Sequence, residues 1–475
     1  MHSSRVRASA CWRLPLALLA VALCGAVAPA AQAAPLPLVS STSYATAADD
    51  GYTCVTSGRC GAGYAAGYAQ KDDALSSSDL LLVKYVDDGK VLTEAWHATV
   101  ESGQPVTAVR VAVDASGNVI VAGNDGPFAF HGASSDIVVV KFSPAGEELW
   151  RSTYDGPAHK LDYVKDLELD GEGNAFVCGA STGVGTGRDY VTIEVTASGE
   201  RAWARRYAGP TTYDEARSLT LDPEGNVYVT GSSRYRASSA GRQGPLRAVT
   251  ISYSPTGRRR WTLVDKRGRT TSGSAIDYCG VQGAGGIVLT GVTTPVGQSY
   301  EHTYFAKYRT ADGGLLWSRT PNSGAKWSEW SLAAALDGSG APVAAGYRIA
   351  RGDMRGWLTG VSEVGRDAWQ SAYASGFQSA GIAELDAVTV AADGGVLAAG
   401  SVVTGIPLPG KQLPSTFLVR YSPDRPVTAP LDYVGAGSAT TYGACNDVAI
   451  GDRGMYAVGV SAEGDDDSDA GVLKF

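Results

Sequence analysis

A glycine recurs eight times along the chain, at Gly67, Gly123, Gly179, Gly231, Gly291, Gly346, Gly400 and Gly459, and it limits the possible folds more than any other feature. The intervals are 56, 56, 52, 60, 55, 54 and 59 residues. Around two of these glycines the sequence nearly repeats itself, as LELDGEGNAFVCG over residues 167–179 and LTLDPEGNVYVTG over residues 219–231. A period of this length marks supersecondary units that bury their apolar faces only against one another.

One unit reads as four strands. The alternating segment Val109-Arg110-Val111-Ala112-Val113 turns at residues 114–118 into Val119-Ile120-Val121-Ala122, which the repeat glycine is expected to end. A longer loop leads to residues 136–142, and a turn at residues 143–146 leads to residues 148–154. Beyond the N-terminal 33 residues no segment combines a 3.6-residue period with helix caps. The pattern therefore predicts an all-β chain, a single β-propeller of four-stranded antiparallel blades. The third strand occurs eight times, ending at Tyr85, Phe142, Val195, Tyr253, Tyr308, Val361, Tyr421 and Phe475, but only seven fourth strands follow. Residues 37–44 resemble a fourth strand and precede the first unit, so they are expected to complete the last blade and close the ring. Eight blades are predicted, with seven as the alternative if the irregular first unit is not a blade. Trp150, Trp203, Trp261 and Trp369 each follow a third strand by eight residues, Trp317 by nine and Trp96 by eleven, as residues that pack one blade on the next would.

Arg5, Arg7 and Arg13, the apolar run from Leu14 to Val27, and Ala31-Gln32-Ala33 read as a secretory signal peptide over residues 1–33, leaving the propeller domain as 34–475. Cys24 opens a lipid-anchor alternative, disfavoured because Leu23 stands where a small residue is wanted. No later segment approaches the ~20 apolar residues of a membrane span. The expectation is export, to the periplasm, cell surface or medium, most simply as a monomer. Removing the signal leaves 37 basic against 48 acidic side chains, a net charge of −11, which disfavours nucleic acid as a partner. Five cysteines remain, and Cys54 and Cys60 bracket a short turn across which a disulfide could form.

Several literal matches carry little chemistry. Gly179–Gly183 fits G-x-S-x-G around Ser181, but a nucleophile elbow needs a following helix. The four remaining histidines lie in different units with no metal-ligand spacing, so no metal or cofactor is expected, with calcium at Asp465-Asp466-Asp467-Ser468-Asp469 as an alternative. Arg351-Gly352-Asp353 is best read as chance. More informative are the residues preceding each first strand, which a propeller gathers at one mouth of its channel. They include Asp162-Tyr163, Tyr213-Asp214-Glu215, Asp277-Tyr278, Trp327 with Glu329-Trp330, Glu384 with Asp386, and Asn446-Asp447. Either these acids cap strands, or the ring of acceptors and aromatic surfaces binds a glycan, a peptide, a surface protein or a cation. A non-enzymatic binding or scaffold module is the leading expectation. The alternatives are a glycan hydrolase or lyase using carboxylates such as Asp214 and Glu215, or a quinoprotein.

Residues 188–195, Gly199, Trp203-Ala204-Arg205-Arg206-Tyr207 and residues 219–231 together resemble the bacterial SBBP β-propeller repeat family, with a specific match over about residues 136–233. That resemblance implies an exported propeller and brings no catalytic residues. Residues 196–203 and 310–317 are also similar to the tryptophan motif of eight-bladed quinoprotein (PQQ) dehydrogenases, many of which carry a vicinal cysteine pair absent here.

Overall fold

The computed structural model describes residues 40–44, 50–71, 78–127, 134–236, 244–268, 270–280, 285–321, 327–350, 353–366, 368–373, 382–391, 394–403, 414–421, 431–434, 441–451, 454–463 and 468–474. The expected signal peptide, residues 351–352 and residues 464–467 fall outside them. Among the described residues there are 32 strands and no helix. The strands fall into fours. Six antiparallel sheets have four strands each, and the other eight strands form two groups of four bridged by one parallel pair, Met354↔Ile382. In the sheet that contains Thr441–Gly451, the fourth strand is Ser40–Tyr44, paired antiparallel with Ser468–Lys474 from Ser40↔Lys474 to Tyr44↔Ala470.

Second and third strands are apolar on both faces because each sheet is packed between two others. Val119 and Val121 join Leu80, Leu82, Val138 and Val140 in one core. Ile120 and Ala122, the alternate residues of the same strand, join Ile137, Val139, Val177 and Val191 in the next. The core is thus a series of inter-sheet layers, fed by strands whose period-2 side chains supply two layers at once.

The repeat glycine has a different role from the one its position suggests. It lies inside the second strand, as Gly179 does in Ala175–Gly183, and faces an irregularity in the first. Every first strand carries one extra unpaired residue, namely Thr53, Val109, Lys165, Arg217, Ser274, Leu332, Asp386 and Asn446. Such a bulge bends its strand and re-aims one side chain. It also presses the preceding backbone onto the second strand. A Cβ on Gly179 would overlap the Tyr163 carbonyl oxygen, one on Gly231 that of Glu215, and one on Gly346 that of Trp330. The glycine is required by a close approach of two backbones and does not end the strand.

Tryptophans on five of the fourth strands lock their sheets to the next. The indole N–H groups of Trp96, Trp150, Trp203, Trp261 and Trp317 donate to the carbonyls of Pro144, Ala197, Pro255, Thr310 and Glu363 at 3.0–3.1 Å. Each acceptor lies in the turn between third and fourth strands of the next group. The same turns present glycines at positive φ, Gly146, Gly199, Gly257, Gly313 and Gly365, on which the indoles lie; a Cβ at Gly257 would stand 2.6 Å from Trp203. Trp203 is 7% exposed.

The first and last groups are also in contact. Val55 N–H donates to Asp447 at 3.0 Å, Asn446 donates to the Tyr52 carbonyl at 2.7 Å, and Tyr456 donates to Asp87 at 2.8 Å. Lys474 and Asp87 form a buried ion pair. Burial opposes ionisation of Asp87, but hydrogen bonds from Lys474, Tyr456 and Gly89 outweigh it and hold the carboxyl below its usual range.

Two outcomes follow from these contacts. Trp203→Ala should cost about 3–5 kcal/mol in denaturant unfolding, and Gly257→Ala should cost less in that background than in the parent, because the indole it would strike is gone. Additive losses would separate the two residues. Lys474→Met should cost about 3–5 kcal/mol by removing the only cation paired with the buried Asp87 carboxylate among the described residues, and this penalty should shrink as pH falls and the carboxylate is neutralised; a penalty independent of pH would refute the pairing.

Candidate functional site

The bulges determine what the first strands show to the middle of the molecule. A cavity of about 630 Å³ lies among them and is lined by residues of seven first strands. Bulge residues Lys165, Arg217, Ser274, Leu332, Asp386 and Asn446 all line it. So do Arg110, Asp166, Glu168, Glu215, Asp277 and Asp447. With one residue re-aimed per strand, a surface that strict alternation would make half apolar becomes mainly polar and charged.

Its charges are unevenly matched. Arg110 donates to Asp166 at 3.3 Å, Arg217 stands 3.5 Å from Glu215, and the Lys165 ammonium lies 5.3 Å over the Tyr163 ring. Glu168 and Asp277 have no ion-pair partner among the described residues. Burial, reinforced by the neighbouring Asp166, raises Asp277 to about 7; burial, Asp166 and Asp277 raise Glu168 to about 8. Burial also lowers the Lys165 pKa and raises that of Asp447.

The residues expected at the channel mouth divide into three sets. Asp162 and Asp214 are fully buried and tie down the loop before their strands: Asp162 accepts from Thr182 N–H at 3.0 Å and from Gly156 N–H, and Asp214 accepts from Gly209 N–H at 2.7 Å and from Ser233. Glu329 occupies the same place in its sheet and is also fully buried, 3.6 Å from His302. Of Asp214 and Glu215, only Glu215 lines the cavity.

The second set is aromatic. Arg188 is stacked between Tyr163 and Tyr213 at 5.5 and 5.2 Å, Arg234 lies 5.4 Å over the Tyr213 ring, and Tyr163 donates to Glu215 at 2.8 Å. Arg348 lies 4.6 Å over Trp327, and Trp330 meets Tyr347 edge-on at 4.9 Å. The third set, Glu215, Asp277, Asp386, Asn446 and Asp447, lines the cavity itself. The Glu384 side chain lies outside the described residues.

Arg110, Lys165, Asp166, Glu168, Arg217 and Ser218 were not singled out from sequence, although a usable signal exists: the bulge stands 14 residues before the repeat glycine in six units.

The disulfide expectation is corrected. Cys54 and Cys60 are free thiols, because Cys54 is buried in an inter-sheet core while Cys60 is exposed in a left-handed turn. Ser181 is fully buried and hydrogen-bonded to Arg206, so it is not presented as a nucleophile. Asp465–Asp467 lie outside the described residues. Elsewhere, one oxygen each of Asp136, Asp155 and Asp162 come within 4.8 Å of one another, a donor set suited to a hard cation. Burial, reinforced by these neighbours, raises Asp136 to about 6.

Residues 202–234 match the SBBP β-propeller repeat family. The chain is similar in structure to the quinohemoprotein alcohol dehydrogenase ADHIIG of Pseudomonas putida HK5, with a TM-score of 0.51, 12% identity, and coverage of 92% of this chain and 75% of that one. The quinohemoprotein alcohol dehydrogenase of Comamonas testosteroni gives 0.47 at 11% identity over 90% and 75%, and a protein of unknown function from Dyadobacter fermentans gives 0.38 at 13% over 92% and 99%. No curated protein matches the chain. With the sheets described above, the family match and the likeness at a TM-score of 0.51 define a β-propeller repeat fold that carries an SBBP-type repeat. At such identity the likeness concerns the fold alone. Among the described residues no helix is long and apolar enough to cross a membrane.

The raised Asp277 carboxyl gives a pH test. Its folded-state pKa lies above the unfolded value, so the associated stability is complete below the ordinary carboxylate range and is lost as pH rises through about 7. Asp277→Asn should raise the melting temperature more at pH 9 than at pH 5. Equal shifts at both pH values would mean that the carboxyl is not held in this environment.

Proposed function

We propose that the chain is an exported eight-bladed β-propeller, closed by its N-terminal strand, that works as a binding module and takes its ligand in the central channel. The observation that carries this reading is the cavity of about 630 Å³, where bulges on successive first strands turn charged and polar side chains inward. Its volume lies within the range of small-ligand sites. The arginine–aromatic stack of Tyr163, Arg188, Tyr213 and Arg234 adds a rigid platform next to it, because Glu215 belongs to both. Asp214, Ser181 and Asp162 are occupied with backbone and neighbouring side chains, which favours binding over a carboxylate or serine mechanism. Contacts of Asp447, Asn446 and Lys474 with the first group support closure.

The test is a thermal-shift screen of small polar metabolites, short glycans and peptides against the secreted protein and a Ser274→Trp variant, which places an indole in the cavity. A ligand that raises the melting temperature of the parent but not of the variant is the expected result. Stabilising ligands that act equally on both proteins would move the site off the channel.

A further inference from the structure

The channel's unmatched charge points to a ligand class. Among the lining residues, Arg110, Lys165 and Arg217 bring three positive charges, and Asp166, Glu168, Glu215, Asp277, Asp386 and Asp447 bring six negative ones. Each cation is already engaged, Arg110 with Asp166, Arg217 with Glu215 and Lys165 with the Tyr163 ring. The surplus is anionic, and two of its members share one level. Glu168 and Asp277 both stand three residues past the bulges at Lys165 and Ser274, in strands separated by one other, where Thr220 holds the same position after Arg217.

We propose that the channel binds an aliphatic di- or polyamine, with one primary ammonium between Glu168 and Asp277. This rests on the channel being the binding site. An ammonium offers three N–H donors and no acceptor, which suits two carboxylates that have no cation of their own. The second positive charge has a counterpart nearer the bulge level, where Asp386 and Asp447 line the same cavity. Three residues of strand separate the two levels, roughly 10 Å at about 3.3 Å per residue. Amines whose nitrogens are separated by several methylenes span that interval, whereas a lone metal ion reaches only one level. The raised carboxyls agree with the proposal, since burial beside Asp166 disfavours their ionised form until a cation arrives. Amine binding should therefore expel protons near neutral pH.

Calorimetric titration of the full mature chain tests this, with putrescine, cadaverine and spermidine as ligands. Butane-1,4-diol, glutarate and calcium chloride are the neutral, anionic and metal controls. Binding of at least one amine is expected, with affinity at least about tenfold higher at pH 8.5 than at pH 6 because both carboxyls must ionise. Heats should vary with the buffer's ionisation enthalpy as protons are released. Asp277→Asn and Glu168→Gln should each weaken binding at least about tenfold while melting no lower than the parent at pH 8.5, so lost binding is not lost folding. Failure of every amine to bind overturns the proposal, as does binding indifferent to pH and to both substitutions, or tighter binding of calcium lost with the same residues. The Ser274→Trp variant separates the two readings. If other ligands are excluded by it while no amine binds the parent, the amine proposal fails and the channel reading stands. If amines bind the plugged variant as well as the parent, both fail.

Discussion

The contact between the bulge in each first strand and the glycine facing it is the constraint on which the rest depends. An extra residue in the inner strand pushes a carbonyl onto the second strand, and only a residue without a side chain accepts it, as Gly179 accepts Tyr163 and Gly231 accepts Glu215. One geometric demand thus explains both the eightfold glycine and the polar cavity. If the bulge were removed, Lys165 and Arg217 would lose their present places, and the residues beyond would change faces.

Much of the fold is legible in the sequence for a physical reason. Alternating apolar runs, Asp-x-x-Gly-Asn turns and regularly placed tryptophans are local signals, and several units restate them. In the turns Asp114, Asp170 and Asp222 accept from the amide two or four residues on, and Asn118, Asn174 and Asn226 hydrogen-bond back to them. The site was less legible because a bulge has no periodic signature of its own. Reading Lys165-Asp166-Leu167-Glu168 as simple alternation hides the fact that Lys165, Asp166 and Glu168 all line one cavity. The loop acids were conspicuous, yet Asp162 and Asp214 spend their hydrogen-bonding capacity on loop backbone and neighbouring hydroxyls. Residues of one chemical type, one strand position apart, thus do unrelated work.

Charge is handled differently in the two regions. Between sheets several buried charges are matched, as Lys141 is with Asp114 at 2.9 Å and Lys474 with Asp87. Along the cavity the matching is incomplete, and burial raises the titration of both Glu168 and Asp277, which have no cation of their own among the described residues. Carboxylates left without a cation along the cavity keep an electrostatic demand where solvent and ligands have access.

The tryptophan locks join residues 46 to 52 apart in sequence, whereas Lys474 and Asp87 are 387 apart. Neighbouring sheets can therefore zip together by short-range search, while the final contact awaits the meeting of distant segments. Until then Ser468–Lys474 and the flank of the first sheet are open to the same surfaces on another copy. At high concentration during refolding, two chains could exchange these segments and produce a domain-swapped pair or a longer head-to-tail series, which dilution during folding would suppress.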